Sequence, residues 1–192
     1  MRREALAAAR ELLLANGPSA VTLMAVAERV QRTHSTILHH FGSAEELHAA
    51  LMSSMVEDLS RSLGEALSTP GPTEARARLL VDTVFDAFDD GGAGILAAWI
   101  MLTNKERFLE PVRSAVELLA HDVDAHIVRN ARVSPRQVPN ALLFLALCAL
   151  ADSLIGRGMR GMMQMDDEAM RQLAVRLVPY FLKPGTETGP LA

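Results

Sequence analysis

The sequence predicts an all-α protein. Apolar residues recur at helical spacing almost throughout the 192-residue chain and no sustained period-two alternation appears. Hydrophobic residues make up 49% and aromatic residues only 4%, which leaves Ala, Leu, Val and Met to build the core, a mixture that favours helices.

Punctuation divides the chain. Residues 2–15 read as a first helix with Leu6, Ala9, Leu13 and Leu14 on one face, closed by Asn16, Gly17 and Pro18. Thr22 is placed to cap a helix over 23–30, and Thr33 to cap another over 35–41. Ser43 with Glu46 makes a capping box that opens a long helix over 44–68, ended by "TPGP". At roughly 1.5 Å per residue that rod reaches about 37 Å, more than a small headpiece needs for its own core. A fifth helix starts at Thr73 and ends at "DDGGAG". A sixth carries Trp99 and Met101 to about Asn104, and a seventh spans 111–131. An eighth begins between Ser134 and Pro139 and is expected to stop in the glycine-rich "IGRGMRG". Asp166, Asp167 and Glu168 favour the start of a last helix, stopped by Pro184, because negative charge complements a helix N-terminus. The tail "GTETGPLA" lacks apolar content and is expected to be disordered.

Bulk properties narrow the function. The longest uninterrupted apolar run, Ala141 to Ala151, is shorter than the roughly 20 residues a bilayer requires, so no membrane partner is expected. Glu4, Arg10 and Glu11 interrupt any secretory apolar segment, which makes the cytoplasm the expected compartment. Cys148 is the only cysteine and lies in an apolar run, as a core residue would. The net charge of −4 disfavours indiscriminate binding to nucleic acid, so any DNA contact must come from a local patch.

One stretch supplies such a patch. In "VTLMAVAERVQRTHSTILHHFGSAEEL" two short helical segments flank a tight turn, the arrangement of a helix-turn-helix DNA reader. Ala27, Val30, Ile37 and Phe41 can pin the two helices together. Thr33, His34, Ser35, Thr36, His39 and His40 offer donors and acceptors for phosphates and base edges. Thr22, Thr33 and Ser43 each precede a helix whose free amides attract phosphate oxygens.

Helix one, then "VTLMAVAERV", a short turn, "THSTILHHF" and "GSAEEL" leading a long helix resemble the tetracycline-repressor-like (TetR) transcription regulators. The motif covers about residues 6–50, and the helix order fits the rest. The resemblance implies an N-terminal three-helix DNA-binding domain over 1–46, joined by a long helix to a larger ligand-binding and dimerisation domain over 47–184, with 185–192 as the tail. It also implies a homodimer on palindromic double-stranded DNA, released by a small-molecule effector. By position, Thr22, Thr33, Thr36 and His40 would touch the DNA backbone, His34, Ser35 and His39 would face base edges, and Arg32 would join them from the turn. The chain departs from the family at Gln31, where glycine is usual and a left-handed backbone is expected, and at Arg32, Leu38 and Ala44.

In the larger domain Phe85, Phe88, Trp99, Phe108 and Phe144, with Met101 and Met159, are apolar candidates for an effector cavity, which the resemblance places there. Thr103, Asn104, His121 and Asn140 are polar candidates to orient a ligand. His121 and His126 do not share a helical face well, so no metal and no cofactor are expected. "ALLFLALCALADSLIG" and "LAVRLVPYFL" carry so little polar face that the last two helices are expected to pack against a second copy. No nucleophile motif or phosphate-cradling loop suggests an enzyme. The rival reading is a helical ligand-binding or protein-interaction dimer whose headpiece no longer reads DNA.

Overall fold

A computed structural model describes residues 1–103, 110, 113–114, 116–121 and 137–181. Among these the regular structure is helical throughout: α1 (Arg2–Asn16), α2 (Leu23–Arg29), α3 (His34–Phe41), α4 (Ala44–Ser68), α5 (Thr73–Phe88), α6 (Ala93–Leu102), α7 (Gln137–Ala151), α8 (Arg157–Met163) and α9 (Ala169–Phe181). Most of the expected seventh helix lies outside the described residues, although 116–121 are helical. Pro184 and the tail also lie outside them.

The chain forms two compact units, one of residues 1–59 with 86–118 and one of residues 60–85 with 119–192. The first is organised by α1 to α3. Ala5, Ala9 and Leu13 form the buried stripe of α1 at spacing four, while Leu14, a 100° step further round the helix, is 53% exposed rather than core. Val26 and Ala27 of α2 meet Ile37 and Phe41 of α3, with Leu47 and Leu51 of α4 in the same cluster. Val26, Ile37 and Leu47 are wholly buried. Each such side chain stabilises the unit by about 1.5–3 kcal/mol.

The same cluster holds Ala93, Leu96 and Ile100 of α6. The hinge that allows this is Gly92, whose left-handed backbone (φ 80°) caps α6 after the break that closes α5. The sequence assigns that helix to the larger domain, since nothing local ties it to residues 80 positions away; the packing places it with the headpiece.

In the second unit α9 packs on α7. Ala141, Leu145 and Ala149 of α7 and Ala174 and Val178 of α9 are buried, and Phe144 meets Phe181 at 4.9 Å between ring centroids. The helix beginning in α7 does not stop at its glycines. It continues through a π-helical turn, Asp152–Gly156, into α8 and ends at Gln164. Gly156 keeps helical angles, and a Cβ there would collide with the Asp152 carboxylate and the Arg160 guanidinium, which pair beside it. The resulting rod, Pro139–Met163, has a mean hydropathy of 1.7 and is long and apolar enough to cross a membrane by length and composition. Only 11% of its most apolar window is buried within one chain. Cys148 sits half-buried on α7, its thiol pushed up by burial and by the nearby Asp152 carboxylate.

Candidate functional site

Two capped helices and a left-handed turn build the helix-turn-helix. The Thr22 side chain accepts from Ala25 N–H at 3.1 Å and starts α2. At the other end Gln31 N–H donates to Glu28 C=O (3.1 Å) and Arg32 N–H to Ala27 C=O (2.9 Å), the paired bonds of a Schellman turn. Gln31 occupies its left-handed position with φ 54°, the backbone expected at a site where glycine is usual. Val30, before the turn, packs partly buried against the core, and Arg32, after it, is exposed.

Thr33 then caps α3, its hydroxyl oxygen accepting from Thr36 N–H at 3.2 Å and lying 2.9 Å from Thr36 Oγ1. An accepting hydroxyl at a cap still carries a proton to donate, so Thr22 remains able to hold a phosphate, while the Thr33 and Thr36 hydroxyls share one hydrogen bond that leaves a single proton between them for another partner. Helical spacing sorts the rest of α3. Ile37 and Phe41 share the buried face, Ser35 and His39 lie opposite it, and Thr36 and His40 form a row along one flank. His34, Ser35, His39 and His40 are exposed, Thr36 is half-buried, and the rings of His39 and His40 lie 5.9 Å apart. Ser43 accepts from Glu46 N–H at 3.1 Å, fixing the start of α4 directly after α3.

Arg2 is not among the sequence candidates, yet it ties α1 to the end of α3. Its guanidinium donates to His40 C=O at 2.9 Å and lies over the Phe41 ring at 4.8 Å. Two other headpiece arginines are committed elsewhere: Arg29 to Glu11 at 2.8 Å and Arg10 to Asp58 at 3.2 Å. Both pairings span too many residues for sequence spacing to signal them.

The effector candidates divide between the units. In the first, Phe88, Trp99 and Thr103 are half-buried. Thr103 Oγ1 donates to Trp99 C=O at 2.7 Å, so its hydroxyl serves the end of α6, whereas Trp99 Nε1 is buried with no hydrogen-bond partner among the described residues. In the second, Phe85 is buried beneath Arg171, whose guanidinium lies 5.4 Å from the ring centroid, and Phe144 is half-buried against Phe181. His121 and Asn140 are exposed. Asn104 and Phe108 lie outside the described residues. A hollow of about 330 Å³ in the second unit is lined by Gln164, Met165, Asp166, Ala169, Gln172, Leu173 and Arg176, none of them a sequence candidate. Among the described residues no group of three or more His, Cys, Asp or Glu is arranged to hold a metal ion.

The sequence profile of the bacterial regulatory proteins of the tetR family matches residues 5–51, the stretch that builds α1 to α3 and opens α4. No curated protein matches the chain. Among solved structures, it is similar to the fatty acid degradation regulator FadR from Bacillus halodurans, with 11% identity, a TM-score of 0.67, and 92% of this chain and 93% of that one covered. FadR from Bacillus subtilis, solved with stearoyl-CoA, gives 10% identity and a TM-score of 0.68 over 95% of this chain and 100% of that one. The TetR family repressor AlkX from Dietzia sp. strain DQ12-45-1b, implicated in biodegradation of n-alkanes, gives 18% identity and a TM-score of 0.63 over 94% of both chains. At such identities the structures establish a shared fold, and the profile match identifies residues 5–51 as the N-terminal segment found in the bacterial regulatory proteins of the tetR family.

Proposed function

We propose that the protein is a repressor that binds a palindromic operator as a homodimer and leaves it when a small, largely apolar ligand binds. The observation that carries this reading is α3, which buries Ile37 and Phe41 and turns His34, Ser35 and His39 to solvent behind a capped N-terminus. In a dimer two such helices, about 34–36 Å apart, would enter successive major grooves. Thr22, Thr33, Thr36, His40 and Arg32 would hold the backbone while His34, Ser35 and His39 meet base edges.

Coupling follows from α6. Leu96 and Ile100 are part of the headpiece core, and Trp99, whose indole N–H has no partner among the described residues, stands on the same helix. A ligand that accepts from that N–H would shift α6, and any shift of α6 must repack α1. Release requires that the ligand bind more tightly to the conformer unable to span both half-sites. The similarity to a stearoyl-CoA complex and to an n-alkane degradation repressor supports a long aliphatic ligand. A second copy covering the exposed leucines of α7 to α9 would complete the dimer.

The test is retention of DNA from upstream of the protein's own coding region, against scrambled DNA of equal length, across a salt series. Specific retention at moderate salt supports the operator. Equal, steeply salt-sensitive binding to both places the operator elsewhere or favours the rival, a ligand-binding or protein-interaction dimer with a vestigial headpiece, for which Gln31, Arg32 and Ala44 are the motive.

A further inference from the structure

We infer that operator binding is gated by pH through His34, His39 and His40, an inference that rests on the operator reading above. Residues 1–46 hold five arginines and five glutamates and no lysine or aspartate, so the headpiece is neutral when its histidines are neutral. The structure then removes arginines from service at the DNA face. Arg29 is paired with Glu11, Arg10 with Asp58, and Arg2 is held against the His40 carbonyl and the Phe41 ring. α3 itself carries no Lys or Arg, and its three imidazoles are exposed. The charge this helix presents to DNA, at base edges through His34 and His39 and at the backbone through His40, is therefore whatever those imidazoles carry.

Histidine is the side chain whose ordinary charge change falls between pH 5 and 8. Full protonation takes the headpiece from zero to plus three per protomer. The charged groups on the elements packed around α3 have mixed signs: Arg2, Arg3 and Glu4 of α1, Glu28 and Arg29 of α2, Arg32 of the turn, and Glu45 and Glu46 of α4. The rings of His39 and His40 lie 5.9 Å apart. The negative charge of bound DNA favours the protonated form of an imidazole beside it. An imidazole titration raised by DNA contributes affinity that is fully present below its free-protein value and is lost as pH rises through its bound value. His48 on α4 is buried in the core and is a separate titratable group, so folding must be followed alongside binding.

The experiment measures fluorescence anisotropy of the full chain on a fluorescent operator duplex, recovered from its upstream DNA or by selection from random duplexes, with a scrambled duplex beside it. Titrations run at about pH 6, 7 and 8 at several salt concentrations, with circular dichroism checking the fold at each pH. Wild type is expected to bind at least about tenfold more tightly at the low end than at the high end, with a steeper salt slope at low pH because more phosphates are neutralised. The variant with His34→Gln, His39→Gln and His40→Gln together is expected to lose most of that pH dependence. Specific wild-type binding that changes less than about twofold across the range overturns the inference and leaves the operator reading intact. So does a folded triple variant with the wild-type pH slope. Failure to prefer the operator over the scrambled duplex at every pH removes the operator reading, and the gate with it.

Discussion

Gly92 lies against Leu13. A Cβ built on Gly92 would stand 3.2 Å from Leu13 Cδ2 and 2.9 Å from Leu14 Cδ2, at a backbone φ of 80°. At this point α6 enters the core of the DNA-reading unit. Gly92→Ala therefore combines left-handed strain with overpacking and is expected to cost about 1–3 kcal/mol of stability. Urea unfolding followed by circular dichroism reads it. An unchanged midpoint would mean that α1 and α6 do not meet in this way.

Two turns place glutamine where a helix usually ends on glycine. Gln31 after α2 and Gln164 after α8 both have φ 54°, and both stand in the same bonding pattern, with Arg32 N–H to Ala27 C=O and Met165 N–H to Arg160 C=O closing each turn. Glycine adopts that conformation without steric cost, so Gln31→Gly and Gln164→Gly are each expected to stabilise the protein by about 0.5–1 kcal/mol. A lower thermal midpoint for either variant would show that the glutamine side chain makes a compensating interaction.

These turns also mark how far the sequence can be read. Local chemistry is legible: Thr22, Thr33 and Ser43 cap the helices they precede, and the left-handed backbone at Gln31 is the one the family resemblance implies where glycine is usual. Glycine as a breaker misleads at α7, because Gly156 serves a close ion pair within a continuing helix rather than a turn. Long-range pairing leaves no local signal. Arg29 with Glu11 and α6 in the headpiece core depend on tertiary packing, and they decide which charges and which helix are available for function.

The two arginines flanking the turn should behave differently on DNA. Arg29 is engaged by Glu11 through both Nε (3.1 Å) and Nη2 (2.8 Å), whereas the Arg32 side chain is exposed. Arg32→Ala is expected to flatten the slope of log K against log salt by about one for each phosphate that each protomer no longer neutralises. Arg29→Ala should leave that slope nearly unchanged and cost less than about 1 kcal/mol of stability, since the pair is exposed. Equal slopes for the two variants would mean that Arg32 does not touch a phosphate.

The apolar face of α7 and the segment after it supplies the last prediction. Leu143, Leu147, Leu154 and Ile155 are 60%, 56%, 45% and 61% exposed in one chain, alongside a buried face that already packs on α9. A helix apolar on both sides needs cover on both, and in the proposed dimer a second copy would bring the same stripe to meet it. Burying each of these side chains would contribute about 1.5–3 kcal/mol, which is ample to hold a dimer at micromolar concentration. Leu147→Glu places a charge in that stripe without disturbing the buried positions Leu145 and Ala149. Sedimentation velocity should give wild type at twice the chain mass and the variant at one, with helicity retained. Loss of the dimer should also weaken operator binding, because a single headpiece reaches only one half-site. A wild-type protein sedimenting as a monomer at micromolar concentration would remove the dimer, and with it the spacing on which the operator reading depends.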